Sequence, residues 1–192
     1  MCKQFFIFRH GQTNFNLQGR YQGRKFDLPL NENGIKQAHS LADILAVHEL
    51  ECIYTSPLQR AWQTANIVAK AKNIPVFKEE GVIAGDYGIA EGQLKKDLKE
   101  KYGKDFIRWR STHKDDLDFR FYGAETKREM QERMLQTLRT ISSKTPYTKI
   151  GIATHGGMIR ALFHYFGKEV GDLPNSYVLT LYVQKEGELS LT

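Results

Sequence analysis

Phe5-Phe6-Ile7-Phe8-Arg9-His10-Gly11 is a run of four apolar or aromatic residues that passes directly into an arginine, a histidine and a glycine. In an otherwise polar N-terminus, the apolar run predicts a buried strand whose end presents His10 beside Arg9. Gly11 allows a sharp backbone turn, so that N–H groups can face an anion. Because arginine and imidazole groups hold phosphate oxygens well, this strand end predicts a phosphoryl-binding site.

Two later segments follow the same plan, in which a strand leads straight into a helix beside a basic residue. Ser56-Pro57-Leu58-Gln59-Arg60 follows the predicted strand Cys52–Tyr54 and places Arg60 in the first turns of a helix. Thr154-His155-Gly156-Gly157 follows the predicted strand Lys149–Ala153 and places a second histidine at a strand-to-helix corner. Two arginines and two histidines at such corners are consistent with one phosphate site.

Strands and helices alternate along most of the chain. Amphipathic spacing predicts helices from Asn31 to about Leu50 and from Ser56 to about Ala71. Ser56 is the expected N-cap of the second helix, with a capping box closed by Gln59. The remaining strand candidates are Pro75–Phe77, Tyr177–Val183 and Glu188–Leu191. The alternation predicts the α/β class, as a three-layer α/β/α sandwich with a mostly parallel central sheet.

The stretch from about residue 82 to residue 144 interrupts this rhythm. It is highly charged, rich in aromatic residues, and carries helical patterns at about Gln93–Tyr102 and Glu125–Ser143. Ligands of open α/β sheets bind outside the carboxyl ends of the strands. Residues 82–122 are therefore predicted to be an insertion over those ends that acts as a lid, within a single domain of residues 1–192.

Composition excludes several classes of protein. The 192 residues are 41% hydrophobic and 26% charged, which is unlike a disordered or a membrane protein. The net charge of +6 favours anionic partners, but no basic helix or RNA-binding motif accompanies it, so no nucleic-acid partner is expected. Cys2 and Cys52 have no metal-ligand spacing, and no signal peptide or membrane helix is apparent, so we expect a cytoplasmic protein. The oligomeric state cannot be read from the sequence.

These segments, in their order and spacing, resemble the histidine phosphatase superfamily, also called the phosphoglycerate mutase-like family. The similarity covers nearly the whole chain and includes Arg20-Tyr21-Gln22-Gly23 and Gly123-Ala124-Glu125-Thr126. His155-Gly156-Gly157 is similar to the phosphatase branch, which includes alpha-ribazole phosphatases and broad-specificity phosphatases. Glycolytic mutases typically have His-Gly-Asn at these positions.

The resemblance implies a role for each matching residue. His10 would be the nucleophile that forms a phosphohistidine, which water then hydrolyses. Arg9, Arg60 and His155 would bind the phosphoryl oxygens. The implied activity is that of a phosphoric monoester hydrolase acting on a small phosphorylated substrate, without a metal or other cofactor. Other substrate-binding positions implied by the resemblance are Asn16, Gln22, Gly23 and the backbone N–H of Gly156.

One position departs from the family pattern. Alanine stands at position 84, where the phosphatase branch usually has the glutamate that protonates the leaving group. Three explanations are open. Asp86 could substitute, since an extended backbone would place residues 84 and 86 on the same face. The natural substrate could have a good leaving group, or the acid could have been removed deliberately.

Two alternatives to a phosphatase therefore stand beside it. One is a phosphoryl transferase of the phosphoglycerate mutase type, and the other is a phosphate-binding protein that has lost turnover through Ala84. A second group of basic residues is also open to two interpretations, since it could bind a second anionic group of the substrate or form a solvated basic surface. These residues are Arg24, Lys25, Arg108 and Arg110.

Overall fold

The computed structural model describes residues 2–111, 113–184 and 187–191, and its strands form one sheet. In the described residues these strands are β1 (Lys3–Arg9), β2 (Cys52–Thr55), β3 (Val76–Lys78), β4 (Lys149–Thr154), β5 (Val178–Val183) and β6 (Leu189–Leu191). Their order across the sheet is β3-β2-β4-β1-β5-β6. The first four strands in this order run parallel to one another. β5 pairs antiparallel with β1, and β6 pairs antiparallel with β5. This topology confirms the predicted α/β class with a mostly parallel sheet.

Helices cover both faces of the sheet, as the alternation of residues along β1 requires. In the part of the chain that the structure describes, the α-helices are α1 (Asn14–Leu17), α2 (Glu32–Leu45), α3 (Gln59–Lys72), α4 (Lys95–Arg110), α5 (Lys127–Lys144) and α6 (Gly156–Tyr165). Phe5 and Ile7 pack into a core with residues of α5 and α6, whereas Phe6 and Phe8 pack on the opposite face with residues of α2 and α3. Because successive side chains of a strand point to opposite faces, a continuous apolar run is typical of a strand buried on both sides.

The predicted start of α3 is wrong by two residues, since Ser56 was expected as the N-cap and Leu58 takes that position. The helix begins at Gln59, and its N-cap residue, Leu58, makes no side-chain capping bond. The Gln59 N–H instead donates to Oδ1 of Asp27 at 2.7 Å, so a carboxylate from a distant loop takes the capping role. Ser56 lies before the helix, where its hydroxyl is free to bond elsewhere. Helix α2 also ends earlier than predicted, at Leu45.

The segment between β3 and α5 forms an aromatic cluster of its own. Trp109 stacks on Phe121 with ring centroids 4.7 Å apart, and Tyr21 packs on the indole at 4.9 Å. This cluster holds α4, which bends at Gly103, a residue with φ +43°. The segment contributes side chains to a cleft above the carboxyl ends of the strands, while its movement as a lid remains a prediction. Within the described residues, no helix has the length and apolar character needed to cross a membrane.

Candidate active site

Neighbouring strands bring the predicted site residues together at their carboxyl ends. β1 and β4 run parallel with Arg9 paired to Thr154, so His10 and His155 leave the sheet side by side. The His10 N–H donates to the Thr154 carbonyl oxygen at 3.0 Å, and the two imidazole centroids lie 5.1 Å apart. β2, the other neighbour of β4, leads into α3, which carries Arg60. The sheet topology thus explains why residues far apart in sequence meet.

The backbone occupies one ring nitrogen of His10. Nδ1 lies 2.7 Å from the carbonyl oxygen of Gly11. Since a carbonyl only accepts, Nδ1 carries the proton and Nε2 keeps its lone pair. The Gly11 N–H donates to Oγ1 of Thr64 at 3.1 Å, and a Cβ at position 11 would lie 2.4 Å from the Gly34 carbonyl oxygen. Only glycine fits here, and His10 is left with Nε2 as its free nitrogen.

The surroundings of His10 keep its ring neutral. Burial lowers the pKa of His10 well below its ordinary value of 6.5, and the charges of Arg60 and Arg9 lower it further. The bond to Gly11 acts in the opposite direction, because it favours the protonated ring, but it is the smallest of these effects. At neutral pH the imidazole therefore keeps the lone pair that a nucleophile needs.

Arg9 and Arg60 are each held by backbone carbonyls and keep one buried N–H free. Arg60 is 1% exposed, and its terminal nitrogens donate to the carbonyls of Phe26 at 3.2 Å and Gly23 at 2.8 Å. Arg9 donates through Nη1 to the carbonyl of Leu173. The Nε atoms of both arginines are buried and have no hydrogen-bond partner among the described residues. Burial lowers the pKa of both to about 10, so both remain charged at neutral pH.

His155 presents a third unpaired N–H group. Its Nε2 lies 2.8 Å from Oγ of Ser56, which also accepts the Leu58 N–H at 3.3 Å. The Ser56 hydroxyl needs an acceptor for its own proton, and Nε2 of His155 is the one within reach. This pattern assigns the His155 proton to Nδ1, which is buried and unpartnered among the described residues. Burial, followed by the charge of Arg60, lowers the pKa of His155, so the ring is neutral.

Backbone and amide groups complete the anion site. His155 is the N-cap residue of α6, so the first N–H groups of that helix, at Gly156 and Gly157, have no carbonyl of an earlier turn to bond. The partial positive charge of a helix N-terminus favours an anion there. Asn16 accepts two bonds on Oδ1, from the Thr13 N–H and from Asn175, each at 3.2 Å. Its NH₂ group is therefore left to donate into the cleft.

Gln22 and Gly23 line the same cleft, as predicted, but they differ in what they offer a ligand. Oε1 of Gln22 is buried without a partner among the described residues, so it can accept from a substrate group. Gly23 has φ +59°, and a Cβ there would lie 2.0 Å from Oε1 of Glu91. Its carbonyl accepts from Arg60, so Gly23 serves mainly to position that arginine.

The cleft formed by these residues opens to solvent. Buried donors without partners cost free energy unless a ligand satisfies them, and here three of them converge with two positive charges. The arrangement is suited to a phosphoryl group bound next to a neutral imidazole nitrogen.

The structure does not supply the expected substitute for the missing acid. Ala84 lines the cleft. Position 84 is where the resemblance to the phosphatase branch implies the acid. The carboxylate of Asp86 instead accepts the Gly88 N–H at 2.9 Å, and Asp86 is not among the residues that line the cleft. Asp86 as the substitute acid therefore stays a prediction, which this geometry does not support. The turn at Gly88, which has φ +53°, places the Gly88 N–H against the Asp86 carboxylate.

A group of charged residues borders the cleft opposite the histidines. Asp172 lies 2.7 Å from a guanidinium nitrogen of Arg110, 3.2 Å from one of Arg160 and 3.7 Å from Nζ of Lys95. We call these four residues the charged rim. It contains three cations and one carboxylate, so it carries a surplus of positive charge.

The charged rim was only partly visible in the sequence. Of the four arginine and lysine candidates for a second anion, Arg110 alone lines the cleft. Arg24 pairs with Glu125 at 2.7 Å and Arg108 with Asp116 at 2.9 Å, and neither arginine lines the cleft. Arg160 could have been found from its place four residues after Gly156, one helical turn along α6. Lys95 and Asp172 carried no such signal.

Comparison with known proteins places this geometry in a family. The model of the histidine phosphatase superfamily (branch 1) matches residues 5–179. Phosphoserine phosphatase 1 of Hydrogenobacter thermophilus is 35% identical over 158 residues, which cover 82% of this chain and 72% of that protein. A metal-independent phosphoserine phosphatase of Arabidopsis thaliana is 32% identical over 164 residues, covering 82% of this chain and 66% of that protein.

A solved structure agrees with these sequence relatives. The structure of a mutant phosphoserine phosphatase from Entamoeba histolytica in complex with phosphoserine has a TM-score of 0.81 and 25% identity. The similarity covers 98% of this chain and 94% of that one. The match along the chain, together with two histidines and two arginines at the strand ends, shows that this protein belongs to the histidine phosphatase superfamily.

Proposed function

We propose that this protein hydrolyses small phosphomonoesters through a phosphohistidine at Nε2 of His10. The observation that carries the proposal is the convergence of three buried, unpartnered donors beside that neutral nitrogen. They are Nε of Arg9, Nε of Arg60 and Nδ1 of His155.

In the first step, Nε2 of His10 attacks phosphorus in line with the leaving oxygen. The nitrogen–phosphorus bond forms as the phosphorus–oxygen bond breaks, and the leaving oxygen takes a proton. Arg9 and Arg60 balance the charge of the transferring phosphoryl group, while His155 donates to one of its oxygens. Attack places positive charge on the His10 ring, which the hydrogen bond from Nδ1 to Gly11 stabilises.

In the second step, water attacks the same phosphorus atom and displaces His10. The Nδ1 proton stays on the ring, so the leaving imidazole departs neutral and its lone pair returns to Nε2. One proton of the attacking water stays on the inorganic phosphate, and the other passes to a base of the cleft or to solvent. The same donors hold the phosphoryl oxygens in both steps, which explains why they belong to rigid strand ends rather than to a loop.

We further propose that the substrate carries a second anionic group, such as the carboxylate of O-phosphoserine. The charged rim supports this, since Lys95, Arg110 and Arg160 share the single carboxylate of Asp172. Relatives named phosphoserine phosphatases support it as well. A bound carboxylate would take up the surplus positive charge that Asp172 alone leaves on the rim.

A phosphate-binding protein without turnover is the second candidate, because the usual acid position is Ala84. The two are separated by hydrolysis of p-nitrophenyl phosphate, whose leaving group departs without protonation. We expect the wild-type protein to turn over, His10→Ala to be inactive, and His39→Ala, a change at an exposed histidine of α2, to be unaffected. Wild-type activity no greater than that of His10→Ala would contradict the hydrolase and favour the binding protein.

A further inference from the structure

The carboxylates around position 84 are all engaged by other groups. Asp86 caps the Gly88 N–H. Glu125 accepts from Arg24 at 2.7 Å and from Arg133 at 3.0 Å. These bonds hold both side chains in place, and neither residue is among those that line the cleft.

Glu91 is engaged in the same way, by three backbone N–H groups. They are those of Arg24 at 3.2 Å, Lys25 at 2.7 Å and Tyr87 at 2.9 Å. These three bonds fix the orientation of the Glu91 side chain, and Glu91 does not line the cleft. Its role is to position the loop of residues 23–25 and the backbone of Tyr87.

The carboxylate that does line the cleft is ionised. Burial alone would raise the pKa of Asp172, but Lys95, Arg110 and Arg160 outweigh that effect and lower it. At neutral pH Asp172 therefore carries no proton. The acid for an alkyl leaving group has to be sought among other side chains of the cleft wall.

Tyr87 presents a hydroxyl on that wall, three residues after Ala84. Its ring is fixed by edge contacts with Tyr21 and Trp109, each with centroids 5.6 Å apart. A Cβ on Gly157 would lie 2.2 Å from its hydroxyl oxygen, so that oxygen sits against the first turn of α6. Tyr87 lines the cleft together with Ala84.

Tyr87 lines the same cleft as Arg9, His10, Arg60 and His155. Gly156, the neighbour of Gly157, would place a Cβ 3.4 Å from Nε of Arg9. Burial raises the pKa of Tyr87, whereas the charges of Arg110, Arg160, Arg60 and Arg9 act to lower it. At neutral pH the phenol therefore holds its proton, and four arginines surround the anion that would form when the proton leaves.

We propose that Tyr87 is the proton donor to the leaving oxygen, in place of the acid absent at position 84. This inference rests on the proposed phosphatase function. As the phosphorus–oxygen bond breaks, the Tyr87 proton passes to the leaving oxygen and a tyrosinate forms. In the second step the attacking water gives a proton to the tyrosinate, which restores the phenol while inorganic phosphate leaves.

The test compares two substrates that differ in their need for a proton. The leaving group of glycerol 2-phosphate is an alkoxide, which needs a proton to depart. The leaving group of p-nitrophenyl phosphate is a phenolate that is stable without one. Because general acid catalysis contributes about 10²–10⁴-fold, Tyr87→Phe should lower kcat on glycerol 2-phosphate at least about tenfold. On p-nitrophenyl phosphate it should lower kcat less than about threefold. The matched control is Tyr102→Phe, a tyrosine of the neighbouring aromatic cluster that does not line the cleft.

One further variant keeps the test decisive. Adding Ala84→Glu to Tyr87→Phe should restore activity on glycerol 2-phosphate by supplying a carboxylic acid on the same wall.

The proposal would be overturned by equal losses on both substrates, by no loss on either, or by a selective loss in Lys95→Met but not in Tyr87→Phe. Failure of the phosphatase function itself gives a different result. In that case the wild-type protein would hydrolyse neither substrate.

Discussion

Oγ of Ser56 lies 2.8 Å from Nε2 of His155, and both side chains are buried where β2 and β4 end. The bond joins the residue after one strand to the residue after its neighbour. It determines which nitrogen of His155 carries the proton, and therefore whether the ring donates to a phosphoryl oxygen or repels it. A residue expected to cap a helix instead controls a histidine of the site.

Ser56→Ala should lower kcat/KM for p-nitrophenyl phosphate about tenfold or more. Without the hydroxyl, His155 populates the tautomer whose Nδ1 lone pair faces the phosphoryl oxygens, and loss of one such donor typically costs about 10²–10³-fold. Steady-state kinetics measure the loss. Thr137→Val, which removes a buried hydroxyl that bonds to the Arg133 carbonyl, is the control and should retain activity.

The tautomer itself is accessible by ¹⁵N NMR of the histidine rings. In the wild-type protein without phosphate, His155 should show a protonated Nδ1 and an unprotonated Nε2. Ser56→Ala should increase the fraction of His155 rings that are protonated on Nε2. A wild-type ring protonated on Nε2 would disprove the assignment.

The free energy of unfolding should fall as the pH drops below 6.5. The pKa values of His10 and His155 are lowered in the folded protein, so the unfolded chain binds protons there that the native state does not. Each such group makes stability decline by up to about 1.4 kcal/mol per pH unit between its unfolded and folded pKa. Urea titrations at pH 6.5, 6.0 and 5.5 should therefore show a shallower decline for His10→Asn. Identical slopes for the two proteins would mean that His10 is not held neutral by folding.

Substitutions in the charged rim should change the preference for carboxylated substrates. Arg110→Gln should raise KM for O-phosphoserine about tenfold and leave p-nitrophenyl phosphate within about threefold, because a charge-assisted bond is worth about 1.5–3 kcal/mol. Asp172→Asn should have the opposite effect and lower KM for O-phosphoserine, because it removes the carboxylate that competes with the substrate for the same cations. Arg108→Gln, which breaks a pair outside the cleft, is the control. Equal effects of Arg110→Gln on both substrates would contradict a carboxylate subsite.

Ala84→Glu should raise turnover of an alkyl phosphate much more than that of p-nitrophenyl phosphate. The site is 2% exposed and lies on the cleft wall, so a carboxylic acid there would be within reach of a leaving group. Kinetics with glycerol 2-phosphate and p-nitrophenyl phosphate measure the difference. A parallel increase on both substrates would show that position 84 acts by some means other than proton donation.

The sequence predicted the parts of the site that depend on strand ends. Arg9, His10 and His155 follow apolar runs, and the rule that parallel strands end at one edge is enough to bring them together. Arg60 followed from its place in the first turns of a helix entered from a strand. Each of these inferences needed only local pattern and a general rule of sheet topology.

What the sequence could not predict depends on contacts between distant loops. Asp172 has no motif around it, and its place on the rim follows from how the chain after α6 packs against α4. Asp86 looked suitable by alternation, but its carboxylate accepts the Gly88 N–H, and it is not among the residues that line the cleft. Ser56 fitted a capping box by spacing, yet Asp27 takes that role from 32 residues away. Such competition between partners is settled only by tertiary structure.

The central claim is that Nε2 of His10 carries the phosphoryl group during turnover. Rapid quenching of the wild-type protein with ³²P-labelled substrate, followed by alkaline digestion and mass spectrometry, tests it directly. We predict an acid-labile, base-stable phosphohistidine at residue 10 that is substituted on Nε2 and forms at least as fast as turnover. Label at another residue, label on Nδ1, or turnover without any labelled intermediate would contradict the account.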